Sequence, residues 1–348
     1  MTALKRIVFA CLLCLQSASV AVAQQYDGGL PGAFLSRSVG VRALGLNGVY
    51  SAMGNEPGGL WYNPASLTAL TARPQISFGS SVLGLGRTQN VVSYGQTLEE
   101  EQLGIGGTIN HMRLGTIMGR DQSGAPIGQF VNDMFAVQGG IAAKYGIGSF
   151  GVSAKYINNT LSGLNLGGSG YGIDVGMRFD IEEIVTVAVS AQNIVGSMTW
   201  NSVTETLPYV LRLGVATEFL LENNAVEVDP PASSLPFSGG VTIPRVYPDD
   251  YISMGLEMMF MRGDVIPTVS IATEFFFMDM IAVRGGIPIV SQDFRKPAFL
   301  SLNQFGAGIG FRPRLDMEPF AFQIDYAISR DRVNPTGVAH HVSISVQF

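Results

Sequence analysis

The sequence predicts an all-β protein: a transmembrane antiparallel β-barrel of about 14 strands with an N-terminal helical or irregular plug segment. In the final stretch, residues 320–328 and 342–348, large apolar side chains alternate with small or polar ones. Successive strand side chains point to opposite faces. This alternation therefore indicates that one face of each strand meets apolar surroundings and the other face meets polar surroundings. Hydrophobic residues make up 47% of the chain and charged residues only 14%, against about 25% charged in ordinary soluble domains. No apolar run approaches the roughly 20 residues of a membrane helix, whereas a barrel meets lipid outside and water or a plug inside.

The first 23 residues have the features of a secretory signal peptide. Lys5 and Arg6 form a short basic region, residues 7–15 are apolar, and Ala21 and Ala23 form a small-x-small cleavage site. We therefore expect cleavage near Ala23.

Both cysteines, Cys11 and Cys14, lie within this predicted signal peptide. A lipoprotein signal needs a small residue before its cysteine, and Leu13 fits that requirement poorly. The mature chain then offers no disulfide or thiolate chemistry. Without Lys5 and Arg6, the 21 basic residues fall to 19 against 27 acidic ones, a net charge of −8. An acidic balance argues against a nucleic-acid partner.

Residues 24–73 differ from everything downstream because they do not alternate. A Gly-rich spacer (24–37) is followed by residues 41–70, in which glycines, Pro57 and Pro64 interrupt the chain. These residues break regular elements, so short helical turns are expected.

This segment carries a resemblance to a known family. Arg-Ala-Leu-Gly-x-x-Gly-x-Tyr from residue 42 and Leu-Trp-Tyr-Asn-Pro-Ala at 60–65 resemble the N-terminal segment of PorV/PorQ-type outer-membrane proteins, relatives of the FadL long-chain fatty-acid transporters. Ser66 and Asn47 stand where those proteins carry Gly, and the C-terminal residues 325–327 and 341–345 are also similar. The resemblance implies a 14-stranded barrel whose N-terminal segment fills the lumen. The plug-motif residues are Arg42, Gly45, Gly48, Trp61, Tyr62, Asn63, Pro64 and Ala65.

Alternation alone also yields 14 candidate strands within residues 74–348, an even number as in bacterial barrels. They are 74–82, 88–96, 102–112, 134–145, 149–156, 170–180, 185–192, 209–219, 251–260, 268–277, 280–287, 304–311, 320–328 and 339–348.

Every second connection between these strands is short, as expected of periplasmic turns. The alternate connections are long: 113–133, 157–169, 194–208 and 288–303. Residues 220–250 are a long Pro-containing exception on the short side. We interpret them as an insertion, although a miscounted hairpin nearby is the alternative.

The face predicted to point inward carries charges of both signs: Lys144, Lys155, Asp174, Arg178, Arg212, Glu218, Glu257, Glu274, Arg284 and Asp325. Salt-bridged ladders in a hydrated lumen are the favoured interpretation, and a polar track that guides a solute is the alternative. Inward glycines such as Gly172, Gly176, Gly306, Gly308 and Gly310 leave room for a plug or a passage.

Aromatic residues near strand ends are interpreted as membrane-interface belts. They are Tyr145, Tyr156, Tyr171, Phe179, Tyr209, Phe219, Tyr251 and Phe260. Tyr326, Val346 and the terminal Phe348 are similar to the signal that barrel-assembly machinery recognises.

The plug motif is the best candidate site. Trp61 and Tyr62 are expected to anchor the plug to the wall, or else to line and gate an apolar passage. His111, His340 and His341 show no metal-ligand spacing on one face, and no Gly-x-Ser-x-Gly motif occurs. The sequence predicts a protein that is not an enzyme and has no metal or cofactor. A hydrolase or a purely structural barrel is the weaker alternative.

Together these patterns predict an integral outer-membrane protein of a Gram-negative-type bacterium, in contact with outer-membrane lipid and with the assembly machinery. The family resemblance implies an accessory of type IX protein secretion or surface attachment, with secreted clients or secretion components as partners. The alternative is a FadL-like transporter of hydrophobic small molecules.

Overall fold

The computed structural model describes residues 31–98, 102–164, 166–181, 184–221, 250–262, 266–278, 280–293, 296–299, 304–313, 320–330 and 337–348. Fourteen antiparallel strands in this part form a closed β-barrel, since the first strand pairs with both the second and the last. The predicted fold class is therefore confirmed. No helix among the described residues is long and apolar enough to cross a membrane.

Three of the strands are short additions at one end of the barrel, and the other fourteen form the closed wall. In chain order they are β1 (Gln75–Gly84), β2 (Arg87–Leu98), β3 (Leu103–Arg113), β4 (Ile117–Arg120), β5 (Pro126–Tyr145), β6 (Gly148–Ser162), β7 (Leu166–Ile181), β8 (Val185–Trp200), β9 (Val203–Thr206), β10 (Val210–Leu220), β11 (Tyr251–Met261), β12 (Thr268–Phe277), β13 (Ile281–Asp293), β14 (Lys296–Phe299), β15 (Phe305–Phe311), β16 (Ala321–Arg330) and β17 (Ala339–Gln347). The short ones are β4, β9 and β14. Each of the 14 strands predicted from alternation coincides with one wall strand.

The long connections are more ordered than the sequence predicted. Strand β6 continues past Tyr156 to Ser162, about 20 Å further along the strand at about 3.3 Å per residue. Strands β4, β9 and β14 form hairpins with their neighbours inside the predicted loops 113–133, 194–208 and 288–303. As a result β5 to β8, with 15 to 20 residues each, form a tall wall on one side of the barrel. The remaining wall strands have 7 to 13 residues.

The two faces of the wall have opposite character. Large apolar side chains on the outer face are exposed, for example Phe78, Ile141, Val215, Leu256 and Ile324. The inward side chains between them are buried and mostly small or polar. An outer face of this kind suits lipid.

Several of the predicted belt residues lie on the outer face, where the belt prediction requires them, and one does not. Tyr145, Tyr156, Tyr171, Tyr209 and Phe219 are exposed on the outer face, and Tyr156 and Tyr171 lie opposite each other on β6 and β7. Tyr251, in contrast, points into the lumen, where it stacks on Phe276 with ring centroids 5.3 Å apart. Position near a strand end misled the prediction, because strand parity decides which face a side chain occupies.

The plug runs through the lumen from Pro31 to the start of β1. It contains one short α-helix, α1 (Val41–Gly45), and three 3₁₀ turns: Ala33–Ser36, Pro57–Trp61 and Pro64–Ala69. Nearly all of its apolar side chains are buried against the wall. The core of this molecule is thus the plug–wall boundary, as the plug prediction required.

Two predicted segments lie outside the described residues. The predicted signal peptide falls within residues 1–30, and most of the predicted insertion falls within 222–249. The flanks of the latter lie side by side, since the Leu221 amide donates to the Asp250 carbonyl at 2.7 Å.

Candidate functional site

Arg42 of α1 joins the plug to the wall through a buried carboxylate. Its Nε and Nη2 donate to the two carboxylate oxygens of Glu274 on β12, at 2.9 and 2.6 Å. The Arg284 Nε atom lies 2.7 Å from the same carboxylate, and Arg284 Nη1 donates to Asp325 at 2.6 Å. The Tyr251 hydroxyl also donates to Glu274, at 2.7 Å. Two guanidinium groups and two carboxylates thus form one alternating chain of charge, which we call the arginine–carboxylate chain.

The electrostatics of Arg42 agree with this arrangement. Burial lowers the pKa of the Arg42 guanidinium, but Glu274, Tyr50, Tyr251 and Glu56 together raise it by more, so the pKa lies well above its ordinary value. Arg42 remains a cation, and breaking such a buried pair by removing one partner typically costs about 3–5 kcal/mol.

Glu257 on β11 makes a second joint. Its carboxylate accepts hydrogen bonds from the backbone amides of Tyr50 and Ser51, both at 2.8 Å, and pairs with Arg212 of β10. The Arg212 guanidinium lies 5.2 Å from the ring centroid of Tyr62.

Tyr62 joins two parts of the plug to each other. Its hydroxyl donates to the Val39 carbonyl at 2.9 Å, and the Val39 amide returns a bond of 3.0 Å. Burial raises the pKa of Tyr62 to about 12, so the hydroxyl stays protonated and keeps its donor role.

Asp174 on β7 holds an irregular part of the wall. It pairs with Lys155 at 2.8 Å and accepts from the backbone amide of Asn193 at 2.7 Å. The register between β7 and β8 shifts here, which is the mark of a β-bulge. The Lys155 ammonium lies 5.6 Å from the Trp61 ring, so the plug also packs on this joint.

The Asn63-Pro64-Ala65 motif shapes the last plug turn. The Asn63 Oδ1 atom accepts from the Ala65 amide at 2.9 Å as an N-cap, and Pro64 occupies the first turn. The Asn63 Nδ2 atom donates to the Met177 carbonyl of β7 at 3.0 Å. The motif therefore both ends a loop and attaches the plug to the wall.

Glycines let the plug approach the wall closely. A Cβ at Gly176 would fall on Asn63, and one at Gly306 would fall on the Leu44 carbonyl. Gly45 of the plug motif lies against the Arg284 side chain. Gly48 has a positive φ of 80° and donates to the Ala43 carbonyl at 2.8 Å, which explains glycine at that position. The inward glycines thus make room for a plug.

The predicted lumen-lining charges are mostly joined to one another or to the plug. Asp174, Arg212, Glu257, Glu274, Arg284 and Asp325 are buried and paired, as described above. Arg178 donates to the plug carbonyls of Ala52 and Gly54 at 2.9 and 3.3 Å. Glu218 is exposed at the end of β10 where the short turns lie, and Lys144 is exposed at the same end of β5. This pattern agrees better with paired charges than with a continuous polar track.

The predicted assembly-signal residues lie on the outer face near the closing seam. Tyr326 and Phe348 are exposed and Val346 is half-buried. The Tyr326 hydroxyl lies 2.7 Å from the His340 Nδ1 atom. Recognition by assembly machinery stays a prediction.

The described residues line two cavities on opposite sides of the plug. The upper chamber, of about 590 Å³, lies at the end with the long connections. Most of its surface is apolar, and Arg37, Arg87, Arg212, Glu257 and Arg330 are among the charged residues that line it. Four methionines line it: Met112, Met134, Met259 and Met261. The lower chamber, of about 460 Å³, lies at the end with the short turns and is lined by Arg42, Glu56, Glu218, Arg284 and Arg312 together with Tyr251 and Phe276.

Sequence reasoning missed the upper chamber. Its methionines come from β3, β5 and β11, and each lies at an inward position that alternation marks as lumenal. Alternation therefore places these four methionines in the lumen, but it does not distinguish methionines that line a cavity from methionines that pack against other side chains. No group of residues with the composition of a metal site occurs in the described ranges.

These features define a class: a 14-stranded barrel whose lumen is closed by an N-terminal plug held by buried ion pairs. No protein-family model matches the chain. No curated protein matches it either.

Solved structures do match in fold. The toluene transporter TodX of Pseudomonas putida aligns with a TM-score of 0.54 at 10% identity, over 88% of this chain and 96% of that one. The toluene transporter TbuX of Ralstonia pickettii gives 0.51 at 12% identity, over 89% and 98%. A Pseudomonas aeruginosa FadL homologue gives 0.51 at 8% identity, over 88% and 97%. The chain therefore has the fold of FadL-type barrels, and the finer PorV/PorQ assignment stays a prediction.

Proposed function

We propose that the mature chain, after removal of the predicted signal peptide, is an outer-membrane barrel that binds hydrophobic small molecules in its upper chamber and passes them inward. The observation that carries this proposal is the methionine-lined chamber between the plug and the long connections. This reverses the order of the two functions that the sequence suggested.

Three properties support the proposal. A volume of about 590 Å³ falls within the usual range of small-molecule pockets. Methionine is flexible and polarizable, so it adapts to apolar ligands of different shape. The fold neighbours named above are described as transporters of toluene or as a FadL homologue.

Equilibrium binding to the protein in lipid nanodiscs tests the proposal. Radiolabelled toluene and radiolabelled palmitate serve as separate probes, with empty nanodiscs as background. Met134→Gln combined with Met259→Gln places two amides in the chamber, where an unsatisfied amide costs about 1–3 kcal/mol. We expect binding to weaken about tenfold or more.

The matched control is Met134→Leu with Met259→Leu, which keeps volume and apolar character. Both variants must first show the heat-dependent gel mobility of a folded barrel. Equal affinity for the Gln and Leu variants would count against the upper chamber as the binding site.

A role as an accessory of protein secretion or surface attachment is the second candidate. The plug motif around Asn63 favours it by resemblance to PorV/PorQ-type proteins. The tall wall of β5 to β8 adds a surface beyond the Tyr156–Tyr171 pair on which a client protein could dock. Replacing residues 117–127 by a short Gly-Ser linker removes its tip. Under this hypothesis client crosslinking and surface display are lost while palmitate binding persists; unchanged display would contradict it.

A further inference from the structure

Three side chains on adjacent strands form a hydrogen-bonded row that the proposed function does not use. They are Ser329 on β16, His341 on β17 and Ser81 on β1, all facing inward at the seam where the barrel closes. The Ser329 Oγ atom lies 2.9 Å from His341 Nε2, and the Ser81 Oγ atom lies 2.7 Å from His341 Nδ1.

The row has the geometry of an activated nucleophile. A serine hydroxyl within hydrogen-bond reach of a base, with the base oriented by a third group, is the common arrangement in covalent catalysis. The His341 side chain is fully buried. In the tautomer whose Nδ1–H donates to the Ser81 hydroxyl, the Nε2 lone pair accepts from the Ser329 hydroxyl.

Ser329 also has access to a place where a substrate can lie. It retains 7% of its surface and lines the upper chamber, beside the apolar lining described above.

We propose that the upper chamber has a second activity, the hydrolysis of carboxylic esters with an apolar acyl chain, in which Ser329 is the nucleophile and His341 the general base. Ser81 is a positioning residue that orients the imidazole. His341 takes the Ser329 proton while Oγ bonds to the acyl carbon, and it then donates that proton to the departing alcohol. Water, deprotonated by His341, next attacks the acyl-serine, which releases the carboxylic acid and restores the serine hydroxyl.

Covalent labelling tests the nucleophile directly. A fluorophosphonate with an alkyl chain forms a serine–phosphorus bond and expels fluoride, so peptide mass spectrometry identifies the labelled serine. We expect label at Ser329 in the wild type and none in Ser329→Ala. The internal control is Ser93, a buried wall serine whose hydroxyl pairs with Thr108 at 3.1 Å and not with a histidine; it must stay unlabelled.

Turnover of 4-nitrophenyl octanoate tests the roles of the other residues. Ser81→Ala is expected to lower kcat about tenfold with little change in KM, and Ser81→Thr should restore it because the hydroxyl returns. A folded wild-type barrel without label at Ser329, or with turnover no faster than Ser329→Ala, overturns the proposal. The activity is separable from the proposed transport, since toluene binding is measured on the wild-type protein in a separate experiment and does not depend on ester turnover.

Discussion

A single side chain, Arg42, connects the plug to the arginine–carboxylate chain of the wall. Its partner Glu274 also meets Arg284 and Tyr251, so removing Arg42 leaves a buried carboxylate with fewer compensating donors. Arg42→Met is therefore expected to lower the free energy of unfolding by about 3–5 kcal/mol, measured by urea titration in lipid vesicles. Arg42→Met with Glu274→Gln should recover at least about 1 kcal/mol of that loss, because it removes the unpaired charge as well.

The control for Arg42 is an arginine on the outer rim. Arg113 is 56% exposed and lies 3.9 Å from Asp133, so Arg113→Met should change stability by no more than about 0.5 kcal/mol. A similar loss of unfolding free energy for Arg42→Met and Arg113→Met would show that burial of the ion pair does not determine its contribution to stability.

At the scale of the element, alternation located every wall strand because the two environments of a barrel wall differ so strongly. Strand ends rich in polar residues, such as 158–162, lack that contrast because polar side chains fall on both of their faces. The sequence therefore predicted loops where β6 and its neighbours continue. The alternation did indicate that Tyr251 faces inward, because it lies six residues before the inward Glu257 on β11 and therefore shares its face.

The fit between wall strands and plug depends on glycine at particular inward positions. In β7, a Cβ at Gly176 would fall on Asn63, whereas a Cβ at Gly139 of β5 would meet nothing within 4 Å. Gly176→Ala is expected to destabilise the protein by about 1–3 kcal/mol through overpacking, and to expose the plug to trypsin. Gly139→Ala should leave urea midpoint and trypsin resistance unchanged. If both alanines behave alike, the plug does not contact β7 as closely as the structure shows.

At the scale of the whole molecule, the site joins residues far apart in the chain. Arg42 and Glu274 are separated by 232 positions, and Tyr50 and Glu257 by 207. The sequence predicted that inward charges exist and that the plug motif faces them. It could not predict the pairs, because strand register and plug path together decide which carboxylate each arginine reaches. Similarly, the row of Ser81, Ser329 and His341 exists only because the barrel closes β17 onto β1.

A solute that crosses the barrel must pass the plug, which separates the two chambers. Thr68 of the plug and Ser149 of β6 have hydroxyl oxygens 2.8 Å apart, so Thr68→Cys with Ser149→Cys should form a disulfide. If the plug must move for passage, oxidation will abolish palmitate uptake by cells, and dithiothreitol will restore it, while binding in the upper chamber persists. The matched control is Ser93→Cys with Thr108→Cys, whose hydroxyl oxygens are 3.1 Å apart within the wall; its oxidation should not affect uptake. Undiminished uptake with the plug disulfide formed would mean that the solute passes beside a stationary plug.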